Sequence, residues 1–307
     1  MKNLLLSATA LGLALTAGSA YAADLPSRKA PPTYIAPAPV ATWTGFYVGL
    51  NAGGTFGGTQ DVNVGTYGLY FNPAVGGSLG VASASALAGT GNFPVSNGGF
   101  IGGGQIGYNY QFYNNFVAGL EADIQGLAGG SSTATSATGA AVPGIAGATV
   151  TGGVTTNKSL DYLGTVRGRI GYLVTPTLLL YGTGGLAYGG ANSSSSVFQG
   201  YNGLSAGVTT AWGTAGSYSD TLVGWTAGAG VEWLFMPNWS AKLEYLYYDL
   251  GTVSYGSGAL GSVVAATGAS AFTNVVGTTT KFDGHIVRAG VNYHFNWGAP
   301  APVLAKY

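Results

Sequence analysis

The sequence predicts an all-β fold: an eight-stranded antiparallel up-and-down transmembrane β-barrel with long extracellular loops. Three observations predict it. Apolar and polar side chains alternate in eight segments, short and long connections between these segments alternate strictly, and only 7% of the 307 residues are charged although 47% are hydrophobic. A soluble domain carries about 25% charged residues. A chain this poor in charge needs lipid as the solvent for part of its surface, as in outer-membrane barrels.

The N-terminus has the pattern of an export signal. Lys2 supplies a positive charge, residues 4–15 form a short apolar run, and Ala20-Tyr21-Ala22 matches a small-residue cleavage site. We therefore expect residues 1–22 to be a signal peptide, since the apolar run is short for a signal anchor that stays attached. Residues 23–42 contain five prolines and are expected to form an extended periplasmic segment. The barrel is predicted over 43–297, and a tail over 298–307.

The barrel is predicted from eight alternating segments, at 44–56, 99–112, 116–126, 159–174, 178–189, 221–235, 239–249 and 282–295. Three connections are short and rich in turn residues: Tyr113-Asn114-Asn115, Thr175-Pro176-Thr177 and Met236-Pro237-Asn238. Four are long, at 57–98, 127–158, 190–220 and 250–281. This arrangement predicts periplasmic turns, extracellular loops and two periplasmic termini. Two interpretations remain open for the long connections: mobile surface loops, or strand extensions that rise above the membrane.

Charged residues on the predicted strands share one face. In the last segment, Arg288 and Asn292 alternate with Val287 and Val291, and a period of two puts these sets on opposite faces. The same rule places Asp161 on the inward face. In the strand interiors it gives four acids and four bases that face the lumen: Glu121, Asp123, Arg167, Arg169, Glu232, Lys242, Glu244 and Arg288. The interior of an eight-stranded barrel is just wide enough for side chains to fill. We therefore predict a structural core of paired charges, with a selectivity filter as the alternative.

Aromatic residues gather near the predicted strand ends. Amphipathic rings favour the headgroup level, so two girdles are expected. The outer girdle is predicted from Tyr162, Tyr188, Trp225, Tyr245 and Tyr247. The periplasmic girdle is predicted from Trp43, Phe46, Tyr110, Phe112, Tyr172, Trp233, Phe235, Trp239, Tyr293 and Phe295.

Signals for chemistry are weak. The chain has no cysteine and equal numbers of acidic and basic residues, so no thiolate site, metal site, cofactor or nucleic-acid partner is predicted. Gly102-x-Gly104-x-x-Gly107 lies inside a predicted strand with no helix after it, which excludes a dinucleotide site. His294 is expected to be an inward polar residue. His285 and Asp283 lie at the outer rim and keep a rim hydrolase as an alternative, although no nucleophile motif accompanies them.

Several stretches carry a family resemblance. They are Ala23-Asp24-Leu25-Pro26, Trp43-Thr44-Gly45-Phe46-Tyr47-Val48-Gly49, Gly164-Thr165-Val166-Arg167-Gly168-Arg169-Ile170-Gly171-Tyr172, Tyr181-Gly182-Thr183-Gly184-Gly185-Leu186-Ala187, and Val287-Arg288-Ala289-Gly290-Val291-Asn292-Tyr293-His294-Phe295. Together they make the sequence resemble the outer-membrane immunogenic proteins of Gram-negative bacteria, a porin-labelled, OmpA-like family.

The resemblance implies an eight-stranded surface barrel in the cell outer membrane, often antigenic, with no assigned catalytic residues. It also implies that the barrel-assembly machinery recognises the last strand at Tyr293 and Phe295. The tail after it ends in Tyr307, so which end carries the assembly signal stays open. We expect a non-enzymatic surface barrel with a role in envelope integrity, and a narrow porin for small solutes is the main alternative. Expected partners are outer-membrane lipid, lipopolysaccharide and host or environmental ligands of the loops, whereas the oligomeric state is left open.

Overall fold

The computed structural model describes residues 43–58, 61–95, 98–129, 131–203 and 209–295. The predicted signal peptide at 1–22, the proline-rich segment at 23–42 and the tail at 298–307 lie outside the described residues. So does Tyr307, one of the two candidate assembly signals.

Eleven strands and one helix make up the described part of the chain. In chain order they are β1 (Gly45–Phe56), β2 (Asp61–Phe71), α1 (Ser78–Ala88), β3 (Gly91–Pro94), β4 (Gly99–Phe112), β5 (Phe116–Ala128), β6 (Ser131–Ala141), β7 (Thr149–Thr175), β8 (Leu178–Tyr201), β9 (Ala211–Met236), β10 (Trp239–Val263) and β11 (Ser270–Phe295). The all-β antiparallel fold class is confirmed. Among the described residues, no helix has the length and hydropathy needed to cross a membrane.

Eight of the strands form a closed ring. Their order is β1–β4–β5–β7–β8–β9–β10–β11, and β11 pairs back with β1 from Phe46↔Phe295 to Phe56↔His285. Seven of the eight predicted segments lie within these strands, and the eighth, 44–56, begins one residue before β1. The three predicted turns join β4 to β5, β7 to β8 and β9 to β10. Tyr113 and Asn114 adopt left-handed φ values of 47° and 61°, a conformation that tight hairpin turns require.

The total of eight strands was wrong, because three more lie in the predicted loops. β2 pairs with the first half of β11, β3 pairs with β2, and β6 pairs with the first half of β7. β7 to β11 are 24 to 27 residues long, whereas a strand crosses a membrane in about 9–11 residues. Much of the long connections is therefore strand extension, and the mobile-loop interpretation was wrong for these parts. Ser, Thr and Val alternate there, and β-branched residues favour strands.

We call the end with the three tight turns the turn end. We call the structure beyond the outer aromatic residues, which includes α1, the extension. We assign the membrane-spanning segments to residues 45–56, 99–112, 116–126, 163–174, 178–189, 222–235, 239–249 and 283–295. Their outward faces are apolar and exposed, for example Leu50 at 73%, Leu120 at 68% and Ile170 at 63%. These side chains have the exposure that a lipid-facing surface requires.

Aromatic rings follow one another around the outside of the turn end. Phe112, Phe116 and Tyr172 are in contact across β4, β5 and β7, with ring centroids 5.8 and 5.4 Å apart. Nine of the ten residues predicted for this girdle are partly or well exposed. Trp43 is the exception and its prediction was wrong, because it is only 1% exposed and lies inside the barrel. Its indole Nε1 donates to the carbonyl oxygen of Pro176 at 3.0 Å.

Bulges in the long strands change which face a residue occupies. The β7–β8 register shifts between Leu160 and Leu163, and a one-residue shift moves side chains to the opposite face. Asp161 is therefore exposed rather than inward, and it accepts a hydrogen bond from the Asn192 amide at 2.8 Å. On the other side of the bulge Lys158 is buried. A second bulge follows Asp249, where Gly251 has a φ of 89°.

Candidate functional site

The interior of the spanning region holds the eight charged residues that were predicted to face it. All eight are buried, with exposures between 0% and 5%. Arg167 of β7 lies at their centre. Its guanidinium contacts Glu121 at 2.5 Å, Asp123 at 2.8 Å and Glu244 at 3.0 Å. One base on β7 thus joins two acids of the neighbouring β5 to an acid of β10, which is not its neighbour in the ring.

A second base enters this cluster from β11. Arg288 contacts Asp123 at 2.8 Å and Glu244 at 2.5 Å. Lys242 of β10 donates to both carboxylate oxygens of Glu121, at 2.8 and 3.0 Å. These contacts run across the lumen rather than along one wall. The described charges therefore tie several strands to one another.

The remaining pair lies nearer the turn end. Arg169 contacts Glu232 at 2.6 Å, and Glu232 also accepts hydrogen bonds from Ser240 at 2.6 Å and Asn292 at 2.7 Å. His294 is only 4% exposed, and its Nε2 lies 2.9 Å from the Ser240 hydroxyl. The carboxylate of Glu232 therefore has partners on most sides, which is what a buried charge needs.

Two tyrosines complete the network and were not singled out in the sequence. The Tyr47 hydroxyl donates to Glu121 at 2.7 Å, and the Tyr181 hydroxyl donates to Glu244 at 2.9 Å. The Arg169 guanidinium lies over both rings, 5.4 and 4.5 Å from their centroids. Tyr47 shares its parity with the inward Asn51, so the alternation contained a signal for it. Aromatic residues near strand ends had instead been interpreted as lipid-facing.

Apolar clusters lie on both sides of the charges. At the turn end the cluster consists of Trp43, Val117, Leu173, Leu179, Tyr181 and Leu234. On the side of the extension it consists of Ile101, Leu160, Leu163, Ala187, Ala191, Leu246, Tyr248, Leu250, Val253, Phe282 and Ile286. Their members come from strands all around the ring. The interior therefore has an apolar layer before and after its ionic layer.

The extension has a core of its own, and α1 is part of it. Val81, Ala84 and Ala88 of the helix are buried in an apolar cluster with residues of β2, β3 and every strand from β7 to β11. Polar contacts fix the helix among these strands. Ser85 donates to Gln199 at 2.6 Å, and Gln199 donates back to the Ser85 carbonyl oxygen at 2.9 Å. Nothing in the sequence pattern had indicated a helix here.

The rim residues are bonded to aromatic neighbours. His285 Nδ1 lies 2.6 Å from the Tyr245 hydroxyl, and its ring stacks on Phe56 at 5.8 Å. Asp283 accepts a hydrogen bond from Tyr247 at 3.2 Å and lies 3.8 Å from the Lys281 ammonium. Among the described residues, no group of three His, Cys, Asp or Glu side chains has the geometry to hold a metal ion.

Lys158 was missed because it falls at the end of the predicted connection 127–158, where no strand parity was applied, whereas the structure places it within β7. It lies in the extension, where its ammonium contacts the carbonyl oxygen of Lys281 and lies 4.9 Å from the centroid of the Phe282 ring. Burial lowers the pKa of Lys158 from 10.5 to about 8, against the opposing effect of the Asp283 and Asp61 carboxylates. This lysine is thus a buried titratable group outside the membrane.

The comparisons with known proteins agree with this architecture. A family model described as "Outer membrane protein beta-barrel domain" matches residues 8–295. The 31 kDa outer-membrane immunogenic protein of Brucella melitensis biotype 1 is 35% identical over 300 residues, which cover 96% of this chain and 100% of that protein. The 22 kDa outer membrane protein of Rhizobium leguminosarum bv. viciae is 33% identical over 155 residues, which cover 50% of this chain and 54% of that protein.

Among solved structures, the outer membrane protein OprG from Pseudomonas aeruginosa matches 84% of this chain and 100% of its own, with 10% identity and a TM-score of 0.36. The family model and the full-length relative decide the assignment. The chain belongs to the outer-membrane protein β-barrel family, is similar to the outer-membrane immunogenic proteins within it, and is a protein of the cell outer membrane.

Proposed function

We propose that this protein is a non-enzymatic, non-conducting barrel that contributes to envelope integrity and presents its extension at the cell surface. The observation that carries the proposal is the filled interior. Its layers are the apolar cluster at the turn end, the network around Arg167, a second apolar cluster, and the core that contains α1.

The ionic layer supports a structural role rather than a selectivity filter. A filter needs charges that meet water and ions, whereas Arg167 and Arg288 each contact more than one carboxylate and are 1% exposed. Removing one partner of a buried pair costs roughly 3–5 kcal/mol, because the other charge is left uncompensated. Opening a path through this layer would require several such pairs to separate together. We therefore rank the narrow porin second.

The proposed orientation places the three turns in the periplasm and the extension outside. Barrels of the outer membrane have short periplasmic turns and longer extracellular connections, and the extension of this chain has few charges and many Ser, Thr and Gly residues. A folded, exposed structure of this kind is a suitable target for antibodies. The name of the Brucella relative, an immunogenic protein, supports that part of the proposal.

The proposal includes partners. Lipid and lipopolysaccharide would contact the apolar outward face, and the barrel-assembly machinery would engage the last strand at Tyr293 and Phe295. The rim hydrolase is less well supported, because His285 and Asp283 each bond a different tyrosine. Purified protein that cleaves lipid or peptide substrates, and loses this activity on His285→Ala, would overturn the non-enzymatic proposal.

Conductance of the refolded protein in planar bilayers tests the filled interior. We expect no steady channels from samples whose mobility on a denaturing gel changes on boiling, which shows that the barrel is folded. A porin with known conductance, inserted in the same bilayers, is the positive control. Steady openings whose ion selectivity changes on Arg167→Ala or Glu121→Ala would contradict the proposal.

Envelope integrity is tested in cells. A deletion of the gene is expected to increase sensitivity to detergent and to large antibiotics, and the wild-type gene is expected to restore resistance. Equal resistance with and without the gene would contradict this role. Antibodies that bind the extension of the purified, folded protein are expected to label intact cells, which tests the orientation separately.

A further inference from the structure

The outer wall of the extension contains a cleft that none of the proposed roles uses. It lies across β2, β11 and β10, reaches Thr90 and Gly91 at the start of β3, has a volume of about 640 Å³, and is open to solvent. Its central residue, Gly277, pairs with Gly65 of β2 on one side and with Gly256 of β10 on the other. Thr279 precedes the spanning segment 283–295 of β11 by four residues, so it lies outside the membrane. The cleft is thus on the water-exposed part of the wall.

Three kinds of surface form the cleft. An exposed aromatic ring, Tyr67, stands at one side with 71% of its surface accessible. A polar row of Asn63, Thr279 and Ser254 forms the other side, and the hydroxyls of Ser254 and Thr279 lie 2.9 Å apart. The floor between them is backbone, because the residue there is Gly277.

The floor is open rather than packed. A Cβ placed on Gly277 would meet no atom within 4 Å, and one placed on Gly256 would meet only the Val276 carbonyl oxygen at 4.0 Å. At Gly65 the space is occupied, because the Tyr67 hydroxyl would lie 2.8 Å from such a Cβ. The Tyr67 ring therefore leans over the end of the floor and leaves its centre free for a ligand.

The chemistry of the lining indicates the class of ligand. None of the described residues that line the cleft carries a charge, so an anionic or cationic ligand would lose hydration without gaining a counter-charge. A volume of 640 Å³ is within the usual range of ligand sites, about 300–1,000 Å³. A neutral sugar matches the surfaces that are present. Its C–H face can pack on the tyrosine ring, and its hydroxyls can exchange hydrogen bonds with the amide and hydroxyl row.

We propose that this cleft binds neutral saccharide. Tyr67 provides the stacking surface, Asn63, Thr279 and Ser254 provide hydrogen bonds, and Gly277 provides the space for the ring. The inference does not depend on whether the barrel conducts, since the cleft is on the outside of the wall. Two sources can supply the sugar: free saccharide from the medium, or the sugar chain of a glycolipid in the same membrane.

Binding is tested on the full-length mature protein in phosphatidylcholine nanodiscs that contain no glycolipid. Saturation-transfer NMR would be recorded with neutral hexasaccharides of glucose, of galactose and of mannose, and with a sulfated hexasaccharide as the charged comparator. We expect at least one neutral hexasaccharide to bind and the sulfated one to bind at least tenfold more weakly. Failure of every neutral probe to bind at about 5 mM, a concentration at which weak binding is still detected, or preference for the sulfated one, would overturn the proposal.

Two variants and a matched control locate the site. Tyr67→Ala removes the stacking ring, and Gly277→Leu places a side chain on the open floor, where a Cβ meets no atom within 4 Å. Both are expected to weaken binding at least tenfold. Leu69→Ala is the control, because Leu69 is on the same strand, is 69% exposed and does not line the cleft. Equal binding by all four proteins would overturn the assignment, and unchanged gel mobility on boiling shows that each variant has folded.

The source of the sugar is distinguished with nanodiscs that contain lipopolysaccharide. If the membrane glycolipid occupies the cleft, these nanodiscs reduce binding of the free hexasaccharide to wild type. If the natural ligand comes from the medium, binding is the same in both kinds of nanodisc. Either result is compatible with a saccharide site. Saccharide binding that Tyr67→Ala and Gly277→Leu leave unchanged would not be compatible with it.

Discussion

Arg288 of β11 and Asp123 of β5 meet across the barrel, with 2.8 Å between Nη2 and Oδ2. Two strands, β1 and β4, separate β11 from β5 in the ring. The contact therefore does not belong to a cross-strand pair. It spans the lumen, and it connects the last strand of the chain to a strand from the first half of the barrel.

Loss of this base is expected to destabilise the barrel. Arg288→Met leaves part of the charge of Asp123 and Glu244 buried without a partner, which costs about 3–5 kcal/mol. Urea unfolding in lipid vesicles, followed by the gel mobility of unboiled samples, measures the change. Lys281→Met is the control, because it breaks a partly exposed contact with Asp249 and should leave the midpoint unchanged. Equal midpoints for wild type and Arg288→Met would contradict the structural role of the network.

Closure of the turn end by Trp43 can be tested in the same way. Trp43→Ala removes a fully buried indole and its hydrogen bond to Pro176, and truncation of a buried tryptophan costs about 3–5 kcal/mol. Trp239→Ala is the matched variant, since its ring is 42% exposed on the outside of the same end. We expect the smaller loss for Trp239→Ala in vesicle unfolding. The reverse order would show that Trp43 does not pack in the interior.

The packing of α1 can be disturbed without touching the membrane part. A side chain at Gly80 would overlap the carbonyl oxygen of Pro143, so Gly80→Leu should displace the helix, although leucine favours helices more than glycine does. We expect faster proteolysis of the extension, with unchanged gel mobility on boiling. Leu87→Ser, on the exposed side of the helix, is the control. Proteolysis of Gly80→Leu at the wild-type rate would mean that the helix is not held there.

Lys158 predicts a pH dependence of the extension. Its pKa is about 8 in the folded protein and about 10.5 when unfolded, so between these values the unfolded chain binds more protons. Stability therefore rises with pH in this window. Lys158→Met removes the cost of burying the ammonium and should stabilise the extension by roughly 1–3 kcal/mol at pH 7.

The advantage of Lys158→Met should decline as the pH rises from 8 to 10.5. Protease resistance of the extension at pH 7 and at pH 10 measures it. Lys158 faces the Asp283 and Asp61 carboxylates and the backbone of Lys281, so Lys281→Met serves as the control for a nearby charge. A constant difference between wild type and Lys158→Met across this range would rule out titration of Lys158.

Alternation predicted the parts of the fold that obey it. Arg167 and Glu121 were placed inside because a regular strand has a period of two, and the ring strands are regular where they cross the membrane. The same rule failed at Asp161, because a bulge reverses the parity and its position depends on tertiary pairing. Lys158 lay in a predicted connection, so the rule was not applied to it. Trp43 precedes the first strand, so no parity applied to it.

The helix could not be predicted from its own residues. Residues Ser78–Ala88 are small and nearly uniform in hydrophobicity, so no apolar stripe distinguishes a core-facing side. The helix is buried because the surrounding strands supply Gln199, Asn274 and an apolar wall. Those contacts are known only once the extension is built. The saccharide cleft has the same origin, since its residues come from β2, β3, β10 and β11.

β11 closes the barrel, and it is synthesised after the other strands described here. Its final residues pair with β10 and β1, and its first half pairs with β10 and β2. Until β11 is in place, β1 and β10 both present open strand edges, which are templates for aggregation. A protein cut short by a nonsense codon before residue 270 would thus be unable to close the ring between β1 and β10. It would be a substrate for periplasmic chaperones and proteases rather than a smaller barrel.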